Sequence, residues 1–266
     1  MKAKLRIVAW VLYAVAVIFL MRFVKESHND RIMDFPNIIL ETPLENVFLS
    51  NIDVKERLKN KGIQVENVQR KALQTSLIEE ILKEMPEVED AKVFMGLDGK
   101  WTIYGKIRKP VARIFNMKGE SYYIDDKGKI MPLSPIYTAR VVPVTGKIRD
   151  SQDSRSVNEI INNDSLKSIS KLPQTYAITN YVCNDAFLNA LITQIHVANN
   201  GDFVLIPRVG MQRIIFGKVD KPTDIEERFE KLKVFYRQAM PYAGWGKYET
   251  INLKFKKQIV CTKRSL

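Results

Sequence analysis

The sequence predicts an α+β chain: a single N-terminal transmembrane helix, a small α/β module, and a strand-rich β-domain with flanking helices. Three observations predict it. Residues 7–21 (IVAWVLYAVAVIFLM) carry no charge. Strand and helix patterns then alternate over 38–110 and close in a hairpin. From residue 111 period-two runs dominate, interrupted by turn residues and one long amphipathic segment. The 266 residues, 45% of them apolar, suffice for one or two buried cores, and a charged fraction of 27% speaks against wholesale disorder. Two Cys and two His exclude a disulfide framework and a four-thiolate zinc site.

A spanning helix needs about 20 residues. Residues 5–24 supply that length if Arg6 and Arg22, the flanks of the anchor, extend toward the interfaces. The span is assigned to 7–24, after a cytoplasmic head of 1–6 and before a juxtamembrane linker of 25–37. A cleaved signal peptide is the alternative, but no small-x-small site follows in FLMRFVKES. Lys2, Lys4, Arg6 and the α-amino group keep the head cytoplasmic, although Arg22, Lys25 and Arg31 on the far side weaken that bias. The rest of the chain is then outside the cytoplasm.

The α/β module opens with a short strand, PNIIL (36–40). Ser50 starts a helix with Asp53 three residues on, Val54 and Leu58 on one face, and Gly62 as its stop. A strand over 63–68 leads to a second start signal, Ser76 with Glu79, which fits a capping box. Leu77, Ile78, Ile81, Leu82 and Met85 recur at helical spacing until Pro86 ends the ladder. Ala91, Val93 and Met95 alternate, Asp98-Gly99 makes a turn, and Trp101, Ile103, Gly105 and Ile107 alternate again.

In the β-domain, strands are expected at 111–115, 121–124, 130–131 and 141–144, with Asp125-Asp126-Lys127-Gly128 as a tight turn. The paired Asp residues have no His or further carboxylate beside them, so turn chemistry outweighs catalysis. Residues 149–156 (RDSQDSRS) have no periodicity and are either a flexible loop or the start of an insertion. Asn184 or Asp185 caps a helix carrying Phe187, Leu188, Leu191 and Ile192. Strand, turn and strand follow at 195–198, 199–202 and 203–207, then a strand at 212–219. Residues 224–240 are amphipathic, with Ile225, Phe229, Leu232, Phe235 and Tyr236 on one side. The last strand is expected to run through 248–261, with Ile251, Leu253 and Phe255 alternating against Asn252, Lys254 and Lys256.

Catalytic equipment is missing from the sequence: it has no P-loop, GxGxxG, GxSxG, HExxH or CxxC. His28 and His196 have no metal partner at ligand spacing, and no cofactor or small-molecule substrate is expected. Cys183 and Cys261 either pair in an oxidising compartment or stay free, and the free thiols are favoured. Lys and Arg exceed Asp and Glu by 12, so the chain expects an anionic neighbour. Over 247–266 six basic residues face Glu249 alone. Few aromatics interleave with them, and an exported domain rarely meets nucleic acid, so no nucleic-acid partner is expected. A charged terminal strand is either a solvated face or a guarded sheet edge able to accept a partner strand.

Five stretches, in order along the chain, resemble the FtsQ/DivIB family of bacterial cell-division proteins. PEVEDAKV (86–93) is similar to its P-x-V-x-x-A-x-V, and IRKPVA (107–112) to its E-R-x-P-V-A. YIDDKG (123–128) is similar to Y-x-I-D-x-x-G, and VPVTG (142–146) to L-P-x-L-x-G. INLKFKKQIV (251–260) is similar to I-D-L-R-Y-x-N-Q-I-V. The resemblance runs from about 38 to 262. It implies a POTRA-like domain over 38–110, the family's β-domain over 111–262 and a tail at 263–266. It also implies a non-enzymatic scaffold of the divisome, anchored in the inner membrane with its C-terminal domains periplasmic, at the septum. Its implied partners are FtsB/FtsL-like division proteins and other divisome membrane proteins. Matched residue by residue, strand addition by FtsB falls on Leu253, Lys254, Phe255 and Lys256. Asn252 replaces the usual Asp and Lys254 the usual Arg, so a salt bridge there loses the two-pronged geometry that Arg gives. An anchored cell-wall enzyme and a POTRA-type chaperone for exported proteins are the rival classes.

Overall fold

A computed structural model describes residues 2–30, 32–42, 48–96, 98, 100–153 and 156–264. The chain forms two compact units, Met1–Ile107 and Arg108–Leu266. In the first, α1 (Lys2–Asn29) is a continuous helix of 28 residues. Its described side chains are Arg6 and those of residues 10–25, and all but Val17 are exposed. Among the described residues no helix is long and apolar enough to cross a membrane. The side chains of residues 7–9, part of the uncharged run, lie outside the described set.

After α1 come β1 (Ile32–Met33), β2 (Asn37–Glu41), α2 (Asn51–Asn60), β3 (Val68–Gln69), α3 (Thr75–Lys83), β4 (Val88–Met95) and β5 (Trp101–Ile107). Ser50 and Asp53 close a reciprocal capping box at the start of α2, as their spacing predicts. The expected strand over 63–68 shrinks to β3, which among the described residues pairs with β1 alone. The second expected capping box does not form. α3 is capped from Gln74 without a side-chain bond, and Glu79 instead accepts the Val93 N–H at 2.7 Å. β5 lies between β2, parallel to it, and β4, antiparallel. Both outer strands are partly closed by side chains, because Asn51 Nδ2 also donates to the Ile38 carbonyl at 3.4 Å. Arg57 holds the buried Glu87 with two bonds of 2.9 and 3.0 Å. Of the expected Asp98-Gly99 turn, Gly99 lies outside the described residues.

The second unit contains β6 (Pro110–Phe115), β7 (Ser121–Asp125), β8 (Ile130–Met131), β9 (Val142–Gly146), α4 (Val157–Ile161), α5 (Asp164–Ile169), α6 (Leu172–Asn184) and α7 (Ala186–Leu191). It continues with β10 (Ile192–Val197), β11 (Phe203–Pro207), β12 (Arg213–Gly217), α8 (Pro222–Gln238), α9 (Met240–Ala243), β13 (Tyr248–Asn252) and β14 (Val260–Lys263). One sheet carries all nine strands in the order β14-β13-β12-β11-β10-β9-β6-β7-β8. Its parallel pairs, β6/β9, β9/β10 and β12/β13, require crossovers. The segment from α4 to α7 supplies one of them, and α8 with α9 another. The helices cover a continuous apolar core. Phe229 of α8 stacks on Tyr181 of α6 at 5.0 Å and lies 4.8 Å from Phe216 of β12.

One expectation is corrected and one element is added. α6, for which the sequence gives no periodic signal, buries Leu172, Thr175, Ile178, Thr179 and Val182 at helical spacing. Threonine at two of those positions hides the apolar stripe, and the Thr179 hydroxyl is satisfied by the Thr175 carbonyl at 2.9 Å. The single strand over 248–261 is instead a hairpin. Asn252 Oδ1 accepts the Lys254 N–H at 3.1 Å, an Asx turn that breaks the strand, and Lys257 takes a positive φ of 57°.

The turn after β7 is built on Asp125. It accepts N–H bonds from Lys127 at 3.0 Å and Lys129 at 2.6 Å, and Arg108 Nη1 at 2.9 Å. Gly128 (φ 75°) is needed there, because a Cβ would sit 2.9 Å from the Val157 Cβ.

Candidate partner-docking edge

β14 ends the nine-stranded sheet, and no described strand lies beyond it. It runs antiparallel to β13, with Val260 opposite Asn252 and Lys263 opposite Tyr248. The Arg264 N–H donates to the Lys247 carbonyl at 3.0 Å. By alternation Arg264, Thr262 and Val260 turn their backbone groups inward, and Cys261 and Lys263 turn theirs away from the sheet. Two residues thus present two N–H and two C=O groups in the pattern a partner strand reads. The edge is short and carries Lys263, a common guard against unselective pairing.

The four residues expected to meet a partner do not lie on this edge. All four sit in the turn that joins β13 to β14, and they divide by environment. Leu253 is fully buried, and its N–H donates to the Ile215 carbonyl at 2.9 Å. Lys254 lies across β12 and places its ammonium 3.1 Å from the buried Asp202. That path exists because residue 217 is glycine: a Cβ there would stand 2.5 Å from the Lys254 Cγ. Phe255 (44% exposed) and Lys256 face solvent. Lys231 of α8 fixes the turn by donating to the carbonyls of Leu253 (3.1 Å) and Phe255 (2.7 Å). The acidic mate of Lys254 in this structure is therefore internal, and proline at 254 would remove a bond the fold uses.

Gly217→Ala tests this packing. Gly217 has φ 89°, so alanine there incurs backbone strain of about 1–2 kcal/mol and drives Lys254 away from Asp202. The expected result is a lower thermal midpoint with loss of the Lys254–Asp202 contact, read by the chemical shift of the Asp202 carboxyl. An unchanged shift would mean that Gly217 does not shape the turn.

Arg6 and Arg22, the expected anchor flanks, are both exposed on α1. Cys183 and Cys261 are free and half-buried. Burial pushes the Cys261 thiol up from its ordinary value, away from the reactive thiolate. His196 contacts the Thr145 hydroxyl through Nδ1 at 3.1 Å. Among the described residues no three His, Cys, Asp or Glu gather as a metal site. What the region offers chemically is backbone pairing flanked by cations. The hairpin was hidden because 254–258 (KFKKQ) continues enough of the alternation to resemble strand.

Residues 109–262, more than half of the chain, match the model of the family FtsQ/DivIB, C-terminal related. The chain belongs to the FtsQ/DivIB family. Residues 36–104 match the POTRA-like domain. Among curated proteins none matches the chain. The FtsQ/DivIB match takes in every strand of the large sheet except the last residue of β14. It makes this a cell-division protein whose FtsQ/DivIB domain follows a POTRA-like module.

Proposed function

We propose that the chain is a non-enzymatic, membrane-anchored scaffold of the divisome that docks an FtsB/FtsL-like complex by strand addition and so links early to late division proteins. The outward backbone groups of Cys261 and Lys263 at the end of the sheet carry this reading. The added strand runs along β14, and Phe255 and Lys256 in the adjoining turn give it side-chain selectivity. Residues 1–6 remain cytoplasmic, 7–24 cross the inner membrane and 25–37 link to the periplasmic domains 38–110 and 111–262. Support for the span comes from the uncharged run 7–21 and from exposed apolar side chains such as Trp10 (71%) and Phe19 (71%). Anchoring confines the docking edge near other anchored partners and raises its effective concentration toward them.

A fluorescent fusion of the full chain is expected to collect at midcell in dividing cells. A uniform membrane signal in those cells would overturn the divisome assignment.

A further inference from the structure

Three segments at one end of the nine-stranded sheet bring apolar side chains and cations together. The loop between β11 and β12 exposes Val209 (48%) and Met211 (77%), while α9 and the residues after it expose Tyr242 (92%) and Trp245 (45%). Direct contacts join the segments. Arg264 Nη1 lies 3.4 Å from the Met211 sulfur, and the Arg264 N–H bonds to the Lys247 carbonyl. The Trp245 ring packs 5.9 Å from that of Tyr236, whose hydroxyl meets Gln212 Nε2 at 3.0 Å, next in sequence to Met211. Lys247, Lys263 and Arg264 are exposed and make no ion pair with a described carboxylate. Glu249 instead faces Arg213 at 3.8 Å.

We propose that this end of the sheet rests on an anionic phospholipid surface. Tryptophan and tyrosine with a polar tip and an apolar body suit the headgroup layer. Methionine and valine at protruding loops supply apolar insertion. Three exposed cations without an ion pair among the described residues, one of them Lys247 over the Tyr248 ring at 5.7 Å, complement anionic headgroups, each worth about 1 kcal/mol near such a surface. A peptide partner is favoured by a groove or an open edge, whereas these side chains stand at the tips of separate segments. The patch sits at the Tyr248/Lys263 end of the terminal hairpin, away from the turn that holds Phe255. The inference rests on the reading of α1 as an anchor, which keeps a bilayer within reach.

The test uses the full chain with Cys183→Ser and Cys261→Ser, reconstituted in vesicles of phosphatidylcholine alone or mixed with phosphatidylglycerol. A spin label at Met211→Cys reports the patch, and one at Val15→Cys, in a separate sample, reports the anchor. The Met211 label is expected to meet oxygen more readily than a polar nickel chelate in the anionic vesicles only. Lys247→Glu, Lys263→Glu and Arg264→Glu together should cut the ratio of docked to undocked label roughly 100-fold or more. A Met211 label that stays water-accessible in both lipids, while the Val15 label lies in lipid, overturns the proposal. So does a label immobilised without gaining oxygen access, which marks contact with protein. A Val15 label in water would contradict the anchor instead, and the Met211 label still reports on vesicle docking independently.

Discussion

Lys263→Pro is expected to weaken binding of the FtsB/FtsL-like partner strongly while leaving the FtsQ/DivIB domain folded. The Lys263 side chain is exposed, and its backbone groups point away from β13. Proline therefore removes a donor that the fold itself does not use. The inward bond of the next residue, Arg264 to Lys247, is retained. A lost backbone hydrogen bond contributes about 1 kcal/mol, and the pyrrolidine ring also blocks close approach of the added strand. The two effects together should weaken binding about 30-fold or more, or roughly 2 kcal/mol. Lys263→Ala keeps the donor and is expected to bind within a few-fold of the parent chain. Titration of the detergent-solubilised full chain with the partner complex measures both. Equal binding by the proline and alanine variants would contradict backbone pairing at this edge.

Asp125→Ala is expected to have the largest effect on stability. The Asp125 and Arg108 side chains are 1% and 9% exposed and pair at 2.9 Å. Removing the carboxylate takes away the Arg108 partner at 2.9 Å and leaves the N–H groups of Lys127 and Lys129 without this acceptor. Breaking one side of such a pair costs about 3–5 kcal/mol. Amide exchange at Ile124 and Val144, both fully buried, should then accelerate roughly 10²–10³-fold where it reports opening of this unit. Replacing both partners by apolar residues of similar volume should recover much of the loss. If Asp125→Ala alone leaves exchange unchanged, the turn does not depend on this pair. At this position the carboxylate is held by one guanidinium and two backbone amides, which is a structural task.

Local chemistry was legible wherever one rule acted alone. Ser50 with Asp53 marked the start of α2, and alternation marked β4 and β5. Phe229 and its neighbours at helical spacing marked α8. Where two rules competed, the sequence misled. Ser76 with Glu79 has capping-box spacing, but Glu79 satisfies an edge N–H of β4 instead. Thr175 and Thr179 are polar by composition yet face the core, which concealed α6. The terminal hairpin was half legible. The terminal segment was located, but its strand alternation runs on past Asn252, whose side chain turns the chain back. Nor could the sequence show that Asp202, 52 residues away, already pairs with Lys254.

The most direct measurement is amide hydrogen exchange in the full chain with and without its bound partner complex. Strand addition predicts that the Cys261 and Lys263 amides slow by about 100-fold or more on binding. Ile130 and Met131 of β8, at the opposite edge of the sheet, should exchange as before. Tight binding with no change at Cys261 and Lys263 would contradict the account.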